Sequence, residues 1–94
     1  MDYKKINRLR MLGLIIAYYR KSKGMTQQQL ADAVQISRTH MSNIEAPNVP
    51  TSISISTLFD IADTLEVPAE NFFHFRGKTL ALFNRQRANR NTDT

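Results

Sequence analysis

Residues 25–45 read MTQQQLADAVQISRTHMSNIE, and the fold turns on how this stretch is read. Thr26 followed three residues later by Gln29 is a capping box, T-x-x-Q, in which each side chain serves the other residue's backbone N–H. Met25 and Leu30 stand at the hydrophobic staple positions around that cap. Leu30, Ala31 and Val34 recur at helical spacing and form an inner face, with the small Ala31 leaving room for a neighbouring helix. Ser37 repeats the device as a second N-cap, with Ile36 before it and Met41 at the fourth helical position. Met41 and Ile44 then point inward. The pattern predicts two short helices joined by a tight turn.

The outer face of the second helix is unusual. At about 100° per residue, Thr39, Ser42 and Asn43 point away from Met41 and Ile44, with Arg38 on the flank. A solvated surface helix usually carries Glu and Lys pairs. Short directional donors and acceptors beside one arginine are instead the groups that hydrogen-bond the edges of DNA bases. Taken alone, the face could also be a plain polar surface.

On the N-terminal side, residues 4–23 are expected to form one long helix. Ile6, Leu9, Leu12, Ile16 and Tyr19 recur at three and four, while Lys5, Arg8 and Lys21 lie off that stripe. Gly13 inside the pattern costs about 1 kcal/mol against Ala. It either permits close approach of another helix or marks the true helix start. Gly24 supplies the stop, because glycine adopts a left-handed cap without strain.

On the C-terminal side, residues 46–54 (APNVPTSIS) read as a loop, since Pro47 and Pro50 deny helical continuation. Ser54 or Ser56 caps a fourth helix through Leu65, with Ile55, Leu58, Ile61, Ala62 and Leu65 inward and Asp60, Asp63 and Glu66 outside. Pro68 opens a short fifth helix, PAENFF, whose Phe72 and Phe73 serve either to close the core or to form a dimer seam. Residues 79–83 could be a strand, or Leu80, Leu82 and Phe83 could sit on a short helix running into residues 84–90. Arg85, Arg87 and Arg90 make a basic cluster there, and the last residues, NRNTDT, are expected to be disordered.

The chain has 94 residues, enough for one domain, and a domain this small would gain stability from dimerisation. It contains no cysteine, which excludes disulfides and thiolate metal sites. His40 and His74 are too few and too far apart to suggest a metal site. The charged start MDYKKINRLR is unlike a signal peptide, and no window approaches the roughly 18 apolar residues of a membrane span, so a cytoplasmic protein is expected. Net charge is +5, distributed as +6 over residues 1–23, −5 over 24–75 and +4 over 76–94. Basic ends around an acidic middle suit a protein that meets a polyanion through its ends and one chosen face. There are no paired carboxylates, no nucleophile with a base and no Gly-rich phosphate loop, so neither an enzyme nor a cofactor or small-molecule ligand is expected.

Arg20 and Gly24, then TQQQLA (residues 26–31), ISRTHMSNIE (36–45), LFDIADTL (58–65) and Val67 with Pro68 together resemble the lambda-repressor-like (Cro/CI, XRE type) helix-turn-helix family over residues 9–73. The resemblance implies an all-α, five-helix domain over residues 1–75, followed by a short basic C-terminal extension, 76–94. It implies base reading by Arg38, Thr39, Ser42 and Asn43 and a contact to the DNA backbone by Gln27; Thr26, His40, Asn48 and Thr51 are further residues expected at the backbone. It also implies a buried ion pair between Arg20 and Glu45. An unpaired carboxylate near the inward side of the second helix would be costly, which assigns Glu45 to structure.

Two departures stand out. The turn between the two helices has Gln35 where the family usually has Gly, so it is either slightly strained or rearranged. The loop after Glu45 lacks the basic residues that grip phosphate in the family, so its own phosphate contacts are expected from Asn48, Thr51, Ser52 or backbone N–H groups. The charge is therefore expected from Lys4, Lys5, Arg8, Arg10 and the arginines of residues 85–90. The implied function is a sequence-specific DNA-binding regulator of transcription, a repressor, bound to a palindromic operator on double-stranded DNA as a homodimer with Phe72 and Phe73 in its interface. The alternative is an antitoxin or protein-interaction module that uses Phe72, Phe73 and residues 80–83 on the same fold.

Overall fold

The computed structural model describes residues 3–74. They form four α-helices, α1 (Tyr3–Ser22), α2 (Gln27–Ala33), α3 (Arg38–Glu45) and α4 (Ile55–Leu65), followed by a 3₁₀ turn, Ala69–Phe73. No strand occurs among the described residues. The arginines and apolar residues of 76–94 expected to matter, including Leu80, Leu82, Phe83, Arg85, Arg87 and Arg90, lie outside the described residues.

The starts of α2, α3 and α4 are each fixed by a side chain only three residues from its partner. Thr26 Oγ1 accepts from the Gln29 N–H at 3.0 Å while Gln29 Oε1 accepts from the Thr26 N–H at 2.9 Å, completing the capping box. Ser37 Oγ accepts from the His40 N–H at 2.9 Å. Ser54, rather than Ser56, caps α4 by accepting from the Thr57 N–H at 3.0 Å. Each such cap contributes about 1 kcal/mol.

Three helix ends share one closing motif. After α1, the Met25 N–H reaches back to Arg20 O and the Gly24 N–H to Lys21 O, with Gly24 at φ 75°. After α2, the same pair of bonds runs from Ile36 to Ala31 and from Gln35 to Asp32, with Gln35 at φ 61°. After α4, it runs from Val67 to Ala62 and from Glu66 to Asp63, with Glu66 at φ 59°. The left-handed residue is what lets the chain turn back on the last carbonyls. The turn between α2 and α3 is therefore not rearranged: Gln35 takes the left-handed conformation, at a cost of about 1 kcal/mol.

The core lies where α1 and α4 pack against the α2–α3 pair. Ile16, Leu30, Ala31, Met41, Ile61 and Phe72 have no exposed surface at all. Ile15 joins them although it lies off the stripe expected for α1, because α1 is covered both by α3 and by α4 with the 3₁₀ turn. Gly13 is a point of close approach between α1 and α3, since a Cβ built there would fall 2.0 Å from the backbone oxygen of Ile44. It is an interior crossing point of a helix that runs on to Tyr3, and not a helix start.

Three expectations are corrected. Ile55, assigned to the inward face of α4, is 60% exposed. It is the first residue of the helix and stands about 70° round from the mean direction of Leu58, Ile61, Ala62 and Leu65. The fifth α-helix is a single 3₁₀ turn: Pro68 offers no side-chain cap, and the closing bond is the short-range one from the Asn71 N–H to Pro68 O at 2.9 Å. Phe72 does not belong to a dimer seam. It is fully buried within the domain and packs edge-on against Tyr19 with ring centres 5.8 Å apart. Of the two phenylalanines only Phe73, half exposed, presents surface.

Candidate nucleic-acid interface

The base-reading candidates share the outer side of α3. Arg38 and Thr39 are exposed, and Ser42 and Asn43 are half-buried. None of the four side chains is held by a hydrogen bond or ion pair among the described residues. Their donors and acceptors are therefore available to a ligand, while Met41 and Ile44 on the opposite side anchor the helix in the core.

The position of α3 is fixed by a buried polar knot. Arg20 Nε donates to Glu45 Oε2 at 2.7 Å and Arg20 Nη2 to Glu45 Oε1 at 2.8 Å, a two-pronged ion pair. The third guanidinium nitrogen, Nη1, donates to Met25 O at 2.7 Å. Gln27 Nε2 donates to Glu45 Oε1 at 3.0 Å. One arginine thus ties the end of α1 to the residue before the α2 cap and to the last residue of α3. Both charged side chains are almost fully buried, and no buried side-chain polar atom among the described residues lacks a partner. Removing one member of such a pair strands the other, at about 3–5 kcal/mol.

Three of the residues expected at the DNA backbone, Thr26, Gln27 and Thr51, are engaged within the fold. The amide nitrogen of Gln27 is spent on Glu45, so the side chain positions α3 and leaves its carbonyl oxygen and backbone N–H for other work. Thr26 Oγ1 is the α2 cap. The hydroxyl of Thr51 donates to the carbonyl oxygens of Asn43, at 3.2 Å, and Val49, at 3.0 Å. Thr51 is therefore a strut between the loop and the end of α3, and its proton is not offered to a phosphate. Asn48 is exposed at the loop tip, and His40 is half-buried on the first turn of α3.

Two long-range contacts had no signal in the sequence. Arg10 Nε donates to Pro47 O at 2.9 Å, joining α1 to the loop after α3 across 37 residues. Lys23, beside the end of α1, pairs with Glu66 at the left-handed cap of α4. The hydrogen bond and the charge of Lys23 together hold the Glu66 carboxyl below its ordinary value.

Among the described residues no cluster of His, Asp or Glu could hold a metal ion, and no helix is long and apolar enough to cross a membrane. No curated protein matches the chain significantly. A family model described as helix-turn-helix matches residues 16–72, which is more than half of the chain and spans the end of α1, the α2–α3 pair, α4 and the 3₁₀ turn. The chain belongs to the lambda-repressor-like, XRE-type helix-turn-helix family of DNA-binding regulators.

Proposed function

We propose that this protein is a sequence-specific regulator of transcription, acting in the cytoplasm as a repressor by occupying a palindromic operator as a homodimer. The observation that carries the reading is the outer face of α3, where Arg38, Thr39, Ser42 and Asn43 are unengaged while Met41 and Ile44 are buried in the core and Glu45 is held by Arg20 and Gln27. In this reading α3 lies in the major groove. Arg38 favours guanine through a bidentate contact and Asn43 favours adenine. Thr26, Gln27 and His40 face the DNA backbone at the ends of α2 and α3, with Asn48 beyond them. Residues 1–75 form the reading domain, and the basic residues of 76–94 add phosphate charge. Two copies place their recognition helices about 34 Å apart, one turn of the duplex.

Selection of bound sites from random-sequence DNA tests this directly. One palindromic motif is expected, and Asn43→Ala should then cost about 1–3 kcal/mol on that motif and little on shuffled DNA. Equal losses on both would remove the base-reading role. A second reading, a protein-interaction module, is favoured by Ile55 and Phe59, exposed one turn apart on α4. A selection that enriches no motif would move the assignment there.

A further inference from the structure

We infer that Arg10 is the phosphate-binding cation of the loop after α3, delivered to it from α1. The inference rests on the DNA-binding reading and deepens it. An eight-residue α3 is about 12 Å long, close to the width of the major groove, so the chain leaving it at Ala46 meets the groove wall. That wall is phosphate, yet residues 46–54 contain no ionisable side chain.

The loop is also short of donors. Pro47 and Pro50 have no N–H. The Ala46 N–H is spent on Asn43 O and the Val49 N–H on Ala46 O, each at 3.3 Å. The Thr51 hydroxyl is spent on carbonyls. The side chains left to donate, Asn48 and Ser52, are exposed but neutral, and the loop's carbonyl supplies an anchor for a cation: Pro47 O takes Arg10 Nε at 2.9 Å. The contact follows from the crossing of α1 over α3. Gly13 meets Ile44 O, and Arg10, one turn earlier on α1, reaches the loop that begins just past α3.

A neutral carbonyl fixes the guanidinium without cancelling its charge. Arg20 and Lys23, by contrast, are matched by Glu45 and Glu66. Arg10 is exposed, and no Asp or Glu occurs between residues 3 and 31. Its Nη1 makes only a long contact of 3.4 Å to Asn7 Oδ1, and its Nη2 has no partner among the described residues. An anchored, planar fork with a free edge loses little side-chain freedom on taking a phosphate oxygen.

The test is the salt dependence of binding to a duplex recovered from a random-sequence pool and to a shuffled duplex of the same length. It uses the wild type, Arg10→Gln, Arg10→Lys and, as a control at the other end of α1, Lys21→Gln. Arg10→Gln should flatten the slope of log affinity against log salt by about 0.9 on both duplexes, the loss of one phosphate contact. Arg10→Lys should keep most of the slope, and Lys21→Gln should keep all of it. Melting temperatures show whether each variant is folded. An unchanged slope in folded Arg10→Gln, with wild-type protein still binding, overturns the assignment and leaves Arg10 a loop brace. Wild-type protein that binds neither duplex overturns the DNA-binding reading itself, and this assignment with it.

Discussion

Gly13→Ala would set a methyl carbon 2.0 Å from the carbonyl oxygen of Ile44 and 3.1 Å from its carbonyl carbon. Ordinary carbon–oxygen contact is about 3.3 Å, so the two backbones must part by about 1.3 Å. Neither side has a flexible side chain to yield, because both partners are helix backbone. Forcing a methyl group into a closed contact of this kind costs about 3 kcal/mol, and replacing a mid-helix Gly by Ala returns about 1. The net expectation is a loss of about 2 kcal/mol, or a fall of about 10 °C in melting temperature for a domain of this size. The retreat of α3 would also shift Glu45 against Arg20 and Asn43 against its neighbours, so affinity for a selected DNA site should fall as well. Thermal unfolding followed by circular dichroism measures the first effect and titration of the duplex the second. A variant that melts at or above the wild-type temperature would refute the reasoning, because Gly13 would then be a helix defect rather than a contact point.

Two further outcomes are expected. Gln35→Gly should raise stability by up to about 1 kcal/mol, since it relieves the left-handed strain at φ 61° while adding some chain entropy to the unfolded state; an unchanged or lower urea midpoint would contradict the strain. Because the carboxyl of Glu66 is held below its ordinary value by Lys23, its contribution is complete above the usual glutamate value of about 4.3 and is lost as pH falls through the lower folded value. Glu66→Gln should therefore melt slightly below wild type at neutral pH and converge with it in acid. A gap that persists in strong acid would exclude the ion pair as its source.

The features legible in the sequence are those whose cause is local. The caps at Thr26 and Ser37 act over three residues, so their spelling is their structure. The inward positions of α2 and α3 follow from a period of 3.6 that needs no knowledge of the partner. Gly13 was legible only as a choice, because the reason for a missing side chain sits in another helix, at Ile44. Phe72 was ambiguous for a related reason: burial by Tyr19 and burial by a second molecule demand the same residue. Arg10 and Thr51 could be seen as polar groups of the right class, but not what they were aimed at. Whether a donor faces outward depends on which carbonyl the tertiary fold brings within 3 Å, and spacing along the chain does not encode that.

The knot centred on Arg20 has a consequence for the nucleic acid. By clamping Met25 O, Gln27 and Glu45 around a single guanidinium, it makes the separation between the start of α2 and the length of α3 a preset gauge. A gauge that does not flex leaves adjustment to the other partner. A duplex whose backbone and base edges do not already match that spacing must twist or narrow to fit, and the work of doing so depends on the stiffness of base steps that no side chain touches. Part of the preference of this protein among sites would thus be written in how readily DNA deforms.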